Sequence, residues 1–213
     1  DLRARGPVFK PDNSGFAIQP GGFPFVLAGP GSPEDFMGIA DIDGNTGLST
    51  CENNNCVGYS NDVFTNYTAH DGDYDGNGAW HGGTKGIGTL GALKYLGEDL
   101  GATGMYIVIN TAAHNGDATD TWIYAHSRAE VMDLSGLRST YWKHLDVSKL
   151  DQWGRIFEEA NEHGIHPQLY LHENENLQSD LNDVSNFVWT NEERWAVVPR
   201  ALMARFGYLN GIG

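Results

Sequence analysis

The densest chemistry in the sequence is His172-Glu173-Asn174-Glu175-Asn176, an imidazole, two carboxylates and two amides that follow directly on a short, largely apolar run at residues 165–171. A strand that turns abruptly polar delivers its groups at the carboxyl end, where parallel α/β sheets bind ligands. Paired carboxylates are the equipment of glycoside cleavage; the retaining reaction needs two of them about 5 to 5.5 Å apart across the scissile bond. Glu173 and Glu175 do not fit that geometry as a pair. Two apart on an extended chain, they share one face at roughly 6 to 7 Å along the strand. They are weak candidates for catalysis. The roles they suit are holding substrate hydroxyls, orienting an acid carried elsewhere, or raising its pKa by like-charge proximity.

A second concentration follows Asn110, the polar end of the apolar run at 105–110. Residues 111–147 hold His114, Trp122, Tyr124, His126, Tyr141, Trp142 and His144. Aromatic and imidazole side chains at this density suit a saccharide cleft, because a pyranose offers apolar C–H faces to stack on and hydroxyls to bond. Asn110, His114, His172 and Asn176 are the expected donors and acceptors around the sugar, and Trp80 and Trp122 the expected stacking platforms. The plainer account is that several of these aromatics seal the top of the core. The histidines lack the spacing of a metal pair, since no His-x-His or His-x-x-x-His occurs, although His163 and His166 stand across a turn.

Two acidic runs, Asp41-Ile42-Asp43-Gly44-Asn45 and Asp71-Gly72-Asp73-Tyr74-Asp75-Gly76-Asn77-Gly78, alternate Asp with Gly or Asn as hard-cation loops do. Asp41, Asp43, Asn45, Asp71, Asp73 and Asp75 are the expected oxygen ligands of a structural Ca²⁺; neither run has the glutamate that closes a full EF-hand loop, and solvated turns are the competing account. The chemistry expected here requires no cofactor. Cys51 and Cys56, the only cysteines, are expected to form a local disulfide, which points to an oxidising compartment. Twenty-eight acidic against 13 basic residues give a formal charge of −15. That balance argues against a nucleic-acid partner and against anionic membranes. No apolar run approaches the roughly 20 residues that span a bilayer.

These groups need elements to position them. Residues 1–22 read as a hairpin or linker from a preceding domain, with turns at Asp12-Asn13-Ser14-Gly15 and Gln19-Pro20-Gly21-Gly22. A strand at 23–27 opens the main domain, 23–213. Ile87, Leu90, Leu93, Leu96 and Leu100 mark one face of a helix over 85–100, and its interior glycines mark close packing against a neighbour. A strand buried on both faces follows at 105–110. A capping box at Ser148-Lys149-Leu150-Asp151 starts a second helix, Gly164 ends it, and a strand follows at 168–171. A third helix covers 192–206, bent or split by Pro199. Long strand-to-helix loops with tight helix-to-strand turns are the mark of a (β/α)₈ barrel. The expected fold is therefore α/β, a partial TIM barrel of about three βα units, with Leu27, Asn110 and His172 delivered to one rim.

The stretches Gly29-Pro30-Gly31-Ser32-Pro33-Glu34-Asp35-Phe36, Lys85-Gly86-Ile87-Gly88, Leu145-Asp146-Val147-Ser148-Lys149-Leu150-Asp151-Gln152-Trp153, His172-Glu173-Asn174-Glu175-Asn176 and Ala204-Arg205-Phe206-Gly207 carry a resemblance. In order and spacing they resemble the bacterial secreted TIM-barrel glycoside hydrolases related to the apiosidase-like enzymes. The resemblance implies a retaining hydrolase of clan A type, acting on poly- or oligosaccharides outside the cell, in the periplasm or at the cell surface. It also implies that the general acid, on a Trp-Asn-x-Gly-Glu-Glu-Asn segment of the next strand, and the later nucleophile fall beyond Gly213. On that expectation this piece binds carbohydrate, needs the remaining barrel strands of its parent and is inactive alone. The alternative from another class is a non-catalytic, calcium-stabilised carbohydrate-binding or adhesion module.

Overall fold

A computed structural model describes residues 17–19, 23–30, 67–74, 84, 86–108, 123–125, 140–170 and 192–209. In chain order the regular elements are β1 (Ala17–Gln19), β2 (Phe23–Phe25), a 3₁₀ turn (Thr68–His70), α1 (Ile87–Lys94), β3 (Gly104–Val108), a 3₁₀ turn (Tyr141–Lys143), α2 (Val147–Glu162), β4 (His166–Tyr170) and α3 (Glu192–Phe206). β3 and β4 pair in parallel, Gly104 opposite His166 through Val108 opposite Tyr170, with α2 as the crossover. β1 and β2 form a separate antiparallel pair, Ala17 opposite Phe25. Among the described residues the parallel sheet has these two strands and no closed barrel is formed.

The strand expected to open the parallel sheet therefore does something else. Phe23–Phe25 folds back on β1, so the hairpin straddles the boundary expected at residue 22. Residues 26–28 leave it without strand pairing and meet the beginning of β3. The Ala28 carbonyl accepts from the N–H groups of Thr103 and Gly104 (2.7 and 3.2 Å), while the Thr103 hydroxyl donates to the Val26 carbonyl (2.5 Å) and accepts from Ala28 N–H (2.9 Å). Local alternation marks a strand; which partner it takes depends on residues far away in sequence.

α1 is shorter than its leucine pattern predicts. After Lys94 the chain opens into a π-turn, Tyr95–Asp99, closed by Leu100 N–H donating to the Tyr95 carbonyl at 3.1 Å. The i→i+5 bond widens the turn and breaks the three-four spacing. Leu90 and Leu93 stay fully buried, Leu96 is half-buried, and Leu100 is 61% exposed instead of facing the core. Gly91 fulfils the close-packing expectation, because a Cβ there would run into the His70 carbonyl.

α2 begins at a different cap from the one the sequence suggests. Asp146, in extended geometry, accepts from Lys149 N–H at 3.0 Å, and Ser148 sits inside the first turn with its hydroxyl 3.5 Å from Gln152 Nε2. The reason is tertiary. Tyr124 bridges to Leu145 and Asp146 N–H donates to the Ile123 carbonyl at 2.8 Å, holding Asp146 at the entry to the helix. The helix ends as expected at Gly164, whose φ of 80° is the left-handed cap that glycine adopts without strain.

The core lies between α2, the β3–β4 sheet, α1 and α3. Trp153, Ile156, Phe157, Ala160, Ile107, Ile165, Leu90 and Leu93 are wholly buried. Phe157 meets Phe206 of α3 edge to face, ring centroids 5.2 Å apart. Pro199 does not split α3, which runs unbroken from Glu192 to Phe206. Val198, Leu202 and Phe206 bury one stripe against the core, and this burial offsets the hydrogen bond that proline removes.

Candidate functional site

The in-register pairing of β3 and β4 puts their last residues, Val108 and Tyr170, side by side at one end of the sheet. Asn110 and His172 follow two residues later in the sequence. Ile107 and Leu169, which pair one step before that end, are buried, so it stands on a dry foundation. Such coincident carboxyl ends can present groups from two strands to one ligand. Leu27 is not at that end. Its side chain packs against Gly104, the first residue of β3, so the strand expected first in the barrel contributes to the amino end of the sheet.

Most of the expected site falls on residues whose structure is not described: Trp80, Asn110, His114, Trp122, His172, Glu173, Glu175 and Asn176, with Cys51 and Cys56, lie outside the described residues. The same holds for Asp41, Asp43, Asn45 and Asp75. Of the expected calcium ligands, Asp71 and Asp73 are described. Both sit in the turn after the 3₁₀ segment, where the Asp73 carboxylate accepts from His70 Nδ1 at 2.8 Å and the His70 ring stacks at a tilt on Tyr95, centroids 4.8 Å apart. Among the described residues no three His, Cys, Asp or Glu groups are arranged to hold a metal ion.

Two aromatics of the loop before α2 do what the plainer account says. Tyr141 and Trp142 are buried, and Tyr141 meets Tyr124 edge to face at 4.9 Å, so these rings seal the core above α2. His166 is also structural in its packing, 7% exposed and edge-on to Phe25 at 4.9 Å.

Sequence reasoning missed a polar cluster on the helical side. Arg155, Glu159 and His163 stand four apart along α2 and its cap, a stripe legible from spacing alone. Arg155 Nη2 donates to Tyr74 Oη at 2.8 Å and lies 3.9 Å from Glu159, while His163 holds Glu159 at 3.0 Å and Glu98 of the π-turn at 2.9 Å. The cluster ties the 67–74 segment, the π-turn and α2 into one layer. At the surface of the same layer Tyr208 donates to Glu158 at 2.5 Å, and that bond to a carboxylate pushes the phenol up to about 12.

No protein-family profile, curated protein or solved structure matches this chain.

Proposed function

We propose that the chain is the saccharide-binding part of a glycoside hydrolase barrel that works outside the cytoplasm, with Asn110, His114, His172 and Asn176 bonding sugar hydroxyls and Trp80 and Trp122 stacking on the ring. One observation supports this most. β3, α2 and β4 form a βαβ unit with coincident strand ends, and the two polar clusters of the sequence begin just past those ends. Glu173 and Glu175 then hold or orient, and the cleaving carboxylates come from other residues of the barrel. Structural Ca²⁺ at the Asp41 and Asp71 runs, and a Cys51–Cys56 disulfide, belong to the same proposal.

The test is a glycan array and titration calorimetry on this chain, followed by hydrolysis assays on the full-length parent. The expected outcome is binding of a neutral poly- or oligosaccharide, weakened about tenfold by Trp122→Ala, and hydrolysis of that glycan by the parent. A lower melting temperature in EDTA checks the calcium. Binding with no hydrolysis by the parent favours a carbohydrate-binding module; no binding to any neutral or sulfated glycan removes the reading.

A further inference from the structure

On the helical side one imidazole is shared by two carboxylates from different elements. His163 Nδ1 lies 2.9 Å from Glu98 Oε1 and its Nε2 lies 3.0 Å from Glu159 Oε1. The His163 side chain is 12% exposed and that of Glu159 8%, against 54% for Glu98. The backbones meet here too, since a Cβ on Gly97 would run into the His163 carbonyl. A neutral imidazole carries one N–H and one lone pair, so it serves one carboxylate; an imidazolium donates to both. The arrangement is complete only with both protons in place.

We propose that His163 is a proton-operated clamp between the π-turn and α2. With both protons it ties Glu98 of the π-turn to Glu159 of α2. When one proton leaves, Glu98 is released. Glu159 is the partner retained, because it is buried and its loss of a donor is the costlier one, whereas exposed Glu98 takes water in exchange. The groups facing the ring are Glu98 from the π-turn and Glu159 from α2; Arg155 lies behind Glu159, 3.9 Å from its other oxygen, and is itself bonded to Tyr74. Further along the chain, His166 packs on Phe25. Because the doubly protonated ring makes one more bond in the fold, the clamp's stabilisation is greatest on the acid side of the imidazole range and falls as pH rises. This proposal is independent of the saccharide reading.

The experiment follows the melting temperature of the whole chain between about pH 5.5 and about pH 8.5, the interval in which imidazoles change charge. The wild-type protein is expected to lose about 2 to 4 °C more across it than Glu98→Gln or His163→Gln. Parallel curves for wild type and Glu98→Gln overturn the clamp. Should His163→Gln fail to fold, long-range ¹⁵N–¹H spectra of the wild-type ring decide. Both nitrogens protonated at the acid end of that interval and Nδ1 without its proton at the alkaline end supports the clamp; a neutral ring throughout overturns it.

Discussion

The β3–α2–β4 unit keeps Ile107, Trp153, Ile156, Phe157, Ala160 and Ile165 wholly out of water, while the β1–β2 hairpin hands over to Val26 and Leu27, which are 68% and 50% exposed. The first region is held by apolar area, a non-directional force shared among many side chains. The second is held to the sheet by a few directional bonds centred on Thr103 and by the Phe25–His166 contact. A region of the first kind tolerates loss of any one polar contact; a region of the second kind depends on each. Five substitutions turn this contrast into measurements.

The largest effect belongs to Phe157→Ala. The side chain is fully buried between Trp153 and Phe206, so its removal leaves a cavity and is expected to cost about 3 to 5 kcal/mol in urea unfolding. A loss below about 1 kcal/mol would show that this core is loosely packed and erase the contrast. Gly91→Ala comes next. The added methyl collides with the His70 carbonyl and is expected to cost about 1 to 3 kcal/mol, while Gly72→Ala, with open space around it, should change stability by less than about 0.5 kcal/mol. Equal effects at the two glycines would mean that α1 does not dock on the 67–74 turn.

Thr103→Val sharpens the comparison most. It deletes the hydroxyl that bonds Val26 and Ala28, for about 1 kcal/mol. Amide exchange is expected to speed up at Ala28 and to stay slow at Ile107 and Leu169; acceleration at all three would show that hairpin and unit open together. The smallest effect is Tyr208→Phe. The phenol is pushed up from 10.0 to about 12 by its bond to Glu158, so the unfolded chain ionises first. The contribution is present below pH 10.0 and is lost as pH rises toward about 12. Tyr208 is 67% exposed, so solvent screening keeps it small, and Tyr208→Phe should flatten the alkaline side of a pH-stability curve without moving its neutral part.

What the sequence made legible was local. The third helix matched its expected limits, the left-handed cap at Gly164 followed from glycine's backbone freedom, and the strand at β3 followed from a continuous apolar run, although Met105 and Ile107 are buried on one face while Tyr106 on the other is half-buried. Of the site, the two strands that lead to it were legible as apolar runs, while Asn110 and His172, where those runs turn polar, lie outside the described residues. The Arg155, Glu159 and His163 stripe was readable from four-residue spacing, but its partner Glu98 was not, since nothing in the sequence connects residues 65 positions apart.

Periodicity and turn residues are properties of neighbouring side chains, and so the sequence alone determined the second and third helices and the strands β3 and β4 to within a few residues. Tertiary contacts decided the rest. Asp146 replaced Ser148 as the cap because residues 123–125 hold it there, Leu100 turned outward because the π-turn shifts the register, and β2 paired with β1 because strand pairing is a choice among distant partners. Each of these depends on free energy gained between segments far apart in the chain, a quantity that no window of sequence contains.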